Sequence, residues 1–310
     1  TVNGFGKVAG FEQVRELGNI ETPIALTGTM NVPRVADALM TIMAEQSPHI
    51  GVGFPESGWS GYSSVNPVVG ETSDGYLSDL QARPIGLAEV RAAMAAASAE
   101  VAEGAVGAGT GTSCYGWKGG IGTASRVLSG DLGGYTVGAL VQTNFGRAEE
   151  LTICGVPVGR QLRPPVTDRK GEREKGRKGT GEGQAVDLGG SIMMVLATDA
   201  PLDARGLGRL CRRAAFGLAR TGSTCHGGSG DFVIAFSTTN RIADRSPMPP
   251  VARPVIDEQS IVSWLSVAVI ESIEEAIYNS LLMAETVTGR NGHVRHGLPA
   301  DEVARLVGDR

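Results

Sequence analysis

The sequence predicts an α/β protein built in layers, and three observations carry that expectation. Two short, continuous apolar runs, 191–197 (SIMMVLA) and 231–237 (DFVIAFS), read as buried strands. A helical pattern follows each of them, at 203–221 and at 260–288. This strand–helix–strand–helix order in the C-terminal half points to a sheet with helices stacked against it. Hydrophobic residues make up 41% of the 310, enough for one large domain or two small ones, and residues 1–310 are read as a single domain.

The remaining elements follow in chain order. Over 35–44, Val35, Leu39, Ile42 and Met43 recur at three- and four-residue spacing, which predicts a helix. Residues 88–102 are alanine-rich and free of proline, a second helix that Gly104 would end. Next comes the densest glycine stretch, 104–122 (GAVGAGTGTSCYGWKGGIG). Residues 135–142 (YTVGALVQ) have the composition of a strand, and 142–146 that of a turn. Between 163 and 183, basic and acidic residues interleave and large apolar ones are almost absent, as in a solvated surface loop. Within 203–221, Leu207, Leu210, Cys211, Ala214, Ala215 and Leu218 form one stripe, and Gly222 is its natural stop; Gly289 plays that part for 260–288.

Composition excludes several classes of function. The 45 glycines are about twice the usual share, but they show no three-residue period, so collagen is excluded, and the apolar fraction excludes wholesale disorder. A net charge of −5 gives no basic footprint for nucleic acid, and the 163–183 segment has no aromatic residues to stack on bases. No apolar run approaches the roughly 18 residues of a membrane span, and the first thirty residues hold no signal-peptide core. Cys114, Cys154, Cys211 and Cys225 form neither C-x-x-C nor a Cys/His ladder. They are expected to be buried, reduced thiols, which suits the cytoplasm, with the periplasm left open. His49, His226, His293 and His296 are expected to face solvent, and no metal or organic cofactor is implied.

Familiar catalytic motifs are not met. No segment supplies a P-loop; Gly107, Gly109 and Gly111 alternate instead of spelling G-x-G-x-x-G, and Gly120-Ile121-Gly122 lacks a third glycine. Gly227-Gly228-Ser229-Gly230 nearly makes a nucleophile elbow, but Asp231 stands at its fifth position. The segment His226-Gly227-Gly228-Ser229-Gly230-Asp231 joins a helical stripe to an apolar strand. Its plain reading is a turn. Its chemical reading is self-cleavage: a flexible Gly-Ser bond lets the hydroxyl attack its own preceding carbonyl. The freed α-amine, pKa roughly 7.7–8.0, could then serve as base for its own side chain.

On further residues the chain resembles a known family. They include Pro67-Val68-Val69-Gly70-Glu71-Thr72, Gly116-Trp117-Lys118-Gly119-Gly120-Ile121-Gly122-Thr123-Ala124-Ser125-Arg126 and Gly155-Val156-Pro157-Val158-Gly159. Ala197-Thr198-Asp199, Ser229-Gly230-Asp231 with Ile234-Ala235-Phe236-Ser237-Thr238, and Glu271-Ser272-Ile273-Glu274-Glu275-Ala276 complete the series. Together, almost end to end, they are similar to the self-processing L-aminopeptidase/D-Ala-esterase-amidase (DmpA) family, which includes the β-peptidyl aminopeptidases.

The resemblance implies an αββα sandwich and a precursor cut between Gly228 and Ser229 into associated fragments 1–228 and 229–310. Ser229 would be the nucleophile, with Ser272 and Glu274 matching the family's serine and glutamate that position the α-amine. Tyr115 and Asn144 match positions near the site and are candidate oxyanion donors, although Tyr115 could equally be a core ring and Asn144 a turn cap. The substrate would be a short peptide, amide or ester with a free amino end, and the processed heterodimers would form a homo-oligomer, a tetramer by resemblance. On one helix, positions i and i+2 do not share a face, so Glu275 is the runner-up to Glu274. Thr1 rather than Met opens the chain, and an N-terminal portion is expected to be missing. Two alternatives stand: an ornithine acetyltransferase-like transferase, whose nucleophile is threonine, and a glycine-rich binding protein with an inert turn.

Overall fold

The protein is described here by a computed structural model covering residues 1–52, 63–165, 190–242, 256 and 258–308. In chain order its main elements are β1 (Asn3–Gly4), β2 (Ile24–Gly28), α1 (Val32–Gln46), β3 (Val68–Thr72), α2 (Leu87–Ala96), β4 (Ser113–Cys114), β5 (Trp117–Lys118) and β6 (Ile121–Val127). They continue with β7 (Thr136–Asn144), β8 (Gly190–Thr198), α3 (Ala204–Arg220), β9 (Ser229–Ser237), α4 (Glu258–Leu282), β10 (Val287–Thr288), β11 (Val294–Arg295) and α5 (Ala300–Val307).

Five strands form the central sheet, in the order β1-β9-β8-β7-β6. β8 and β9 run parallel, and the other neighbours are antiparallel. The continuous apolar runs are explained by burial on both faces. Ile192, Met194, Leu196, Val233 and Ala235 join the core with α3 and α4, whereas Met193, Phe232 and Ile234 pack with Val68 on the other side. That second face is covered by the parallel pair β2–β3, and Gln142 Nε2 of β7 crosses to the Thr27 carbonyl and the Thr72 hydroxyl. Outside β2–β3 lies α1, whose Val32, Val35, Ala38, Leu39 and Ile42 pack with Val69 and with Val90 of α2. The layers are therefore helix, sheet, sheet, helix: the αββα sandwich that the sequence led us to expect.

Local chemistry sets the ends of α3. Asp203 caps it by accepting from the Gly206 N–H at 2.7 Å, and Thr221 follows its last residue. Two other helices are shorter than their patterns suggested. α2 stops at Ala96 rather than at 102: only Val90 is buried, and alanine propensity without a face to bury does not sustain a helix. α4 stops at Leu282, and 287–288 pair with β11 instead. β7 runs through Asn144, where a turn was expected. Of the four thiols, all free, Cys114 is buried, Cys154 is exposed and the other two are half-buried, which corrects the expectation of four buried cysteines. None of the four histidines is fully exposed. The charged segment lies largely outside the described residues; Arg163 at its start pairs with Glu149. Among the described residues no helix is long and apolar enough to cross a membrane.

The glycine stretch is organised by a buried cation. Lys118 is fully buried, and its Nζ donates to the carbonyls of Gly109, Thr112 and Gly119 at 2.7, 2.9 and 2.6 Å. Burial pushes its ammonium down to about 8, so it still carries its three donors at neutral pH. Lys118→Met is expected to strand those carbonyls and to cost roughly 2–4 kcal/mol, read as a lowered midpoint in thermal or urea unfolding.

Candidate active site

Ser229 is the first residue of β9 and is 4% exposed. Ahead of it, Gly227 and Gly228 form a turn in which the Ser229 N–H donates to the His226 carbonyl at 2.8 Å. Asn3 of the edge strand β1 donates its amide to the carbonyls of both His226 and Ser229, which fixes the loop against the sheet. On the other side Ser229 is in register with Gly190 of β8. A Cβ at Gly190 would lie 3.3 Å from Ser229 Oγ and equally close to the Cα of Phe145, so a larger residue there would crowd the hydroxyl.

Ser229 Oγ donates to Asp231 Oδ1 at 2.6 Å, within the short range of an O–H···O⁻ bond. The strand was expected to begin at Asp231. Its actual start two residues earlier puts Ser229 and Asp231 on one face, which is the spacing a pleated strand requires. Burial raises the Asp231 carboxyl above its ordinary range, against the Ser229 hydrogen bond, the Cys225 thiol and the charge of His226. Neither Asp231 nor Gly190 was singled out as a site residue from the sequence; the start of β9 and the β8–β9 register were the missing signals.

The other expected site residues are placed as follows. Tyr115 is a fully buried ring packed edge-on against Phe145, with its hydroxyl 2.7 Å from that of Thr221, where α3 gives way to the loop leading to Ser229. Asn144 accepts from the Ser113 N–H and donates to the Ser73 carbonyl, both at 2.9 Å. Asn144 pairs with Ser191, which pairs with Gly230, so it lies at the same end of the sheet as Ser229. Its side chain shares the β2–β3 face with Gln142, whereas Ser229 shares the helix face with Val233.

Ser272 and Glu274 do fall on different sides of α4. The Ser272 hydroxyl is wholly buried and has no hydrogen-bond partner. Glu274, 17% exposed, accepts from Arg220 at 3.0 Å and from the Tyr278 hydroxyl at 2.8 Å. Glu275, the runner-up, is tied to Arg126 of β6 at 2.6 Å. Neither Ser272 nor Glu274 hydrogen-bonds Ser229 in the continuous chain. The His226 ring meets Glu150 at 2.9 Å. A cavity of about 1500 Å³ along β9 from Val233 to Thr238 and the first turns of α3 is not lined by Ser229.

The αββα sandwich is the architecture of the N-terminal-nucleophile class of hydrolases. Within that class the chain belongs to peptidase family S58, whose family model matches residues 1–295. It is 38% identical over 309 residues to the β-peptidyl aminopeptidase BapA of Sphingosinicella xenopeptidilytica, covering 99% of this chain and 73% of that protein. Among solved structures it is similar to a Burkholderia sp. β-aminopeptidase, with 38% identity, a TM-score of 0.83 and coverage of 100% and 80% of the two chains. It is also similar to the L-aminopeptidase D-Ala-esterase/amidase of Ochrobactrum anthropi, a serine aminopeptidase with a variant of the Ntn-hydrolase fold. The identity there is 33%, the TM-score 0.79 and the coverage 98% and 78%. The chain is a serine-type aminopeptidase of the N-terminal-nucleophile kind, acting on peptides or amides.

Proposed function

We propose that the protein cuts itself between Gly228 and Ser229 and then, as fragments 1–228 and 229–310, removes amino-terminal residues from short peptides, amides or esters through an acyl-enzyme on Ser229. The observation that carries this reading is the position of Ser229: it heads a central strand, with its hydroxyl buried and the preceding peptide in a half-exposed glycine turn. β9 lies between β1 and β8, both contributed by the first fragment, so two ladders would keep the halves together after cutting. The liberated α-amine becomes the base for the adjacent hydroxyl.

Ser272 and Glu274 are assigned to positioning that amine. In support, Glu274 contacts Arg220 at the end of α3, where the loop to Ser229 departs, and the Ser272 hydroxyl has no other partner. Tyr115 is assigned to the oxyanion, its hydroxyl held by Thr221 at the start of the loop to Ser229 in the continuous chain; Asn144, on the opposite face of the sheet, holds Ser113 and Ser73 instead. The relatives' names suggest β-amino acyl groups as substrates. Phe216 of α3 and Trp264 and Val267 of α4, 60%, 51% and 46% exposed, support burial of the outer helices in a homo-oligomer.

Mass spectrometry of purified protein is expected to find two chains beginning at Thr1 and Ser229, and amino-terminal amides of L-, D- and β-residues to release free amino acid. Acyl transfer to ornithine without such release would replace this reading by the transferase one. An intact chain after long incubation would remove the mechanism altogether.

A further inference from the structure

We propose that Asp231 is the base that takes the Ser229 hydroxyl proton in self-cleavage, an inference that rests on the role of Ser229 proposed above. Before cutting, the Ser229 nitrogen is an amide and cannot serve as a base, so another group must accept the proton. Asp231 Oδ1 already receives it at 2.6 Å, while Oδ2 is buried with no hydrogen-bond partner. His226 does not compete, since its ring is engaged with Glu150 and Thr224. Cys225 faces Asp231 as a neutral thiol, because burial and the carboxylate raise its pKa. The neighbouring strands place Asn3 and Ile192 opposite Asp231, and among the described residues the titratable groups acting on it are Cys225 and His226, both on the loop, besides Ser229 itself.

The step balances without a co-reactant other than water. The Ser229 proton moves to Asp231 as Oγ bonds to the Gly228 carbonyl carbon. It then passes to the Ser229 nitrogen as the Gly228 C–N bond breaks, leaving an ester on Oγ, a free α-amine and the carboxylate in its starting charge. Water hydrolyses the ester to the Gly228 carboxylic acid and the Ser229 hydroxyl. Thereafter the α-amine takes over as base, so Asp231 performs this duty once per molecule.

The test is pulse-labelled cell-free synthesis of the full chain, with cutting followed over time at several pH values. Asp231→Asn is expected to slow cutting by roughly 10²–10⁴-fold, and Asp231→Glu to restore part of the rate. Wild-type cutting should accelerate as Asp231 ionises, over a range above that of an ordinary carboxyl, and the Asn variant should lose that dependence. A role in folding alone would change the amount of cut protein without removing the pH dependence. The inference is overturned if wild type is cut and Asp231→Asn is cut equally fast with the same profile, or if the wild-type rate is flat with pH through that range. If wild type is not cut at all, the proposed function itself fails first.

Discussion

Ser229→Ala is expected to accumulate as one uncut chain of 32.1 kDa and to lose turnover by 10⁴-fold or more, on the order found when a nucleophile is deleted. The change is small in packing terms. It removes one oxygen from a residue already in strand conformation and in register with Gly190, so β9 and its ladders should persist. What it leaves behind is a buried Asp231 carboxyl without its donor, which costs about 1–3 kcal/mol. The variant should therefore melt somewhat lower yet cooperatively, with wild-type secondary structure by circular dichroism. A gel and a mass spectrum give the first result, and release of amino acid from an amino-terminal amide gives the second. Both must fail together if the hydroxyl that cuts the chain is also the one that is acylated. A variant that stays uncut but turns over normally would separate the two chemistries and place the nucleophile elsewhere.

What the sequence disclosed, and what it hid, has a physical pattern. α3, β8 and β9 were legible because burial on one stripe or on both faces leaves continuous apolar signals, bounded by Asp203 and Gly222 for α3. β6 was not, since Ile121-Gly122-Thr123-Ala124-Ser125-Arg126-Val127 has few large apolar groups and meets α4 through small residues. The helical pattern read through 288 gives way after Leu282, where the carbonyl of Met283 lies in the place a side chain on Gly104 would take, a tertiary contact no local pattern reveals. In the site, the motif located Ser229, but its relation to Asp231 depended on where the strand starts. The i, i+2 separation of Ser272 and Glu274 did foretell that they would sit on different sides of α4.

Gly122→Ala is expected to be among the most destabilising single changes in the molecule, at about 3 kcal/mol or more. An added Cβ would lie 1.9 Å from the Ala276 carbonyl oxygen and 2.6 Å from the Ser280 nitrogen. These two backbone atoms belong to residues four apart in α4 and face each other across one turn of it, so the methyl would press on the helix backbone rather than on a side chain able to rotate away. Relief requires α4 to lift from β6. That movement would strain the neighbouring contacts, including Asn279 to the Thr123 carbonyl and the Thr143–Ser280 hydroxyl pair. Gly130→Ala is the matching control, since nothing lies within 4 Å of the added atom, and it should stay within about 0.5 kcal/mol of wild type. Urea unfolding of both variants in the Ser229→Ala background keeps the chain continuous, so stability is compared without the complication of partial cutting. Equal midpoints for the two would mean that α4 does not rest on Gly122. A large difference would show that part of the glycine excess is spent on this helix–sheet contact.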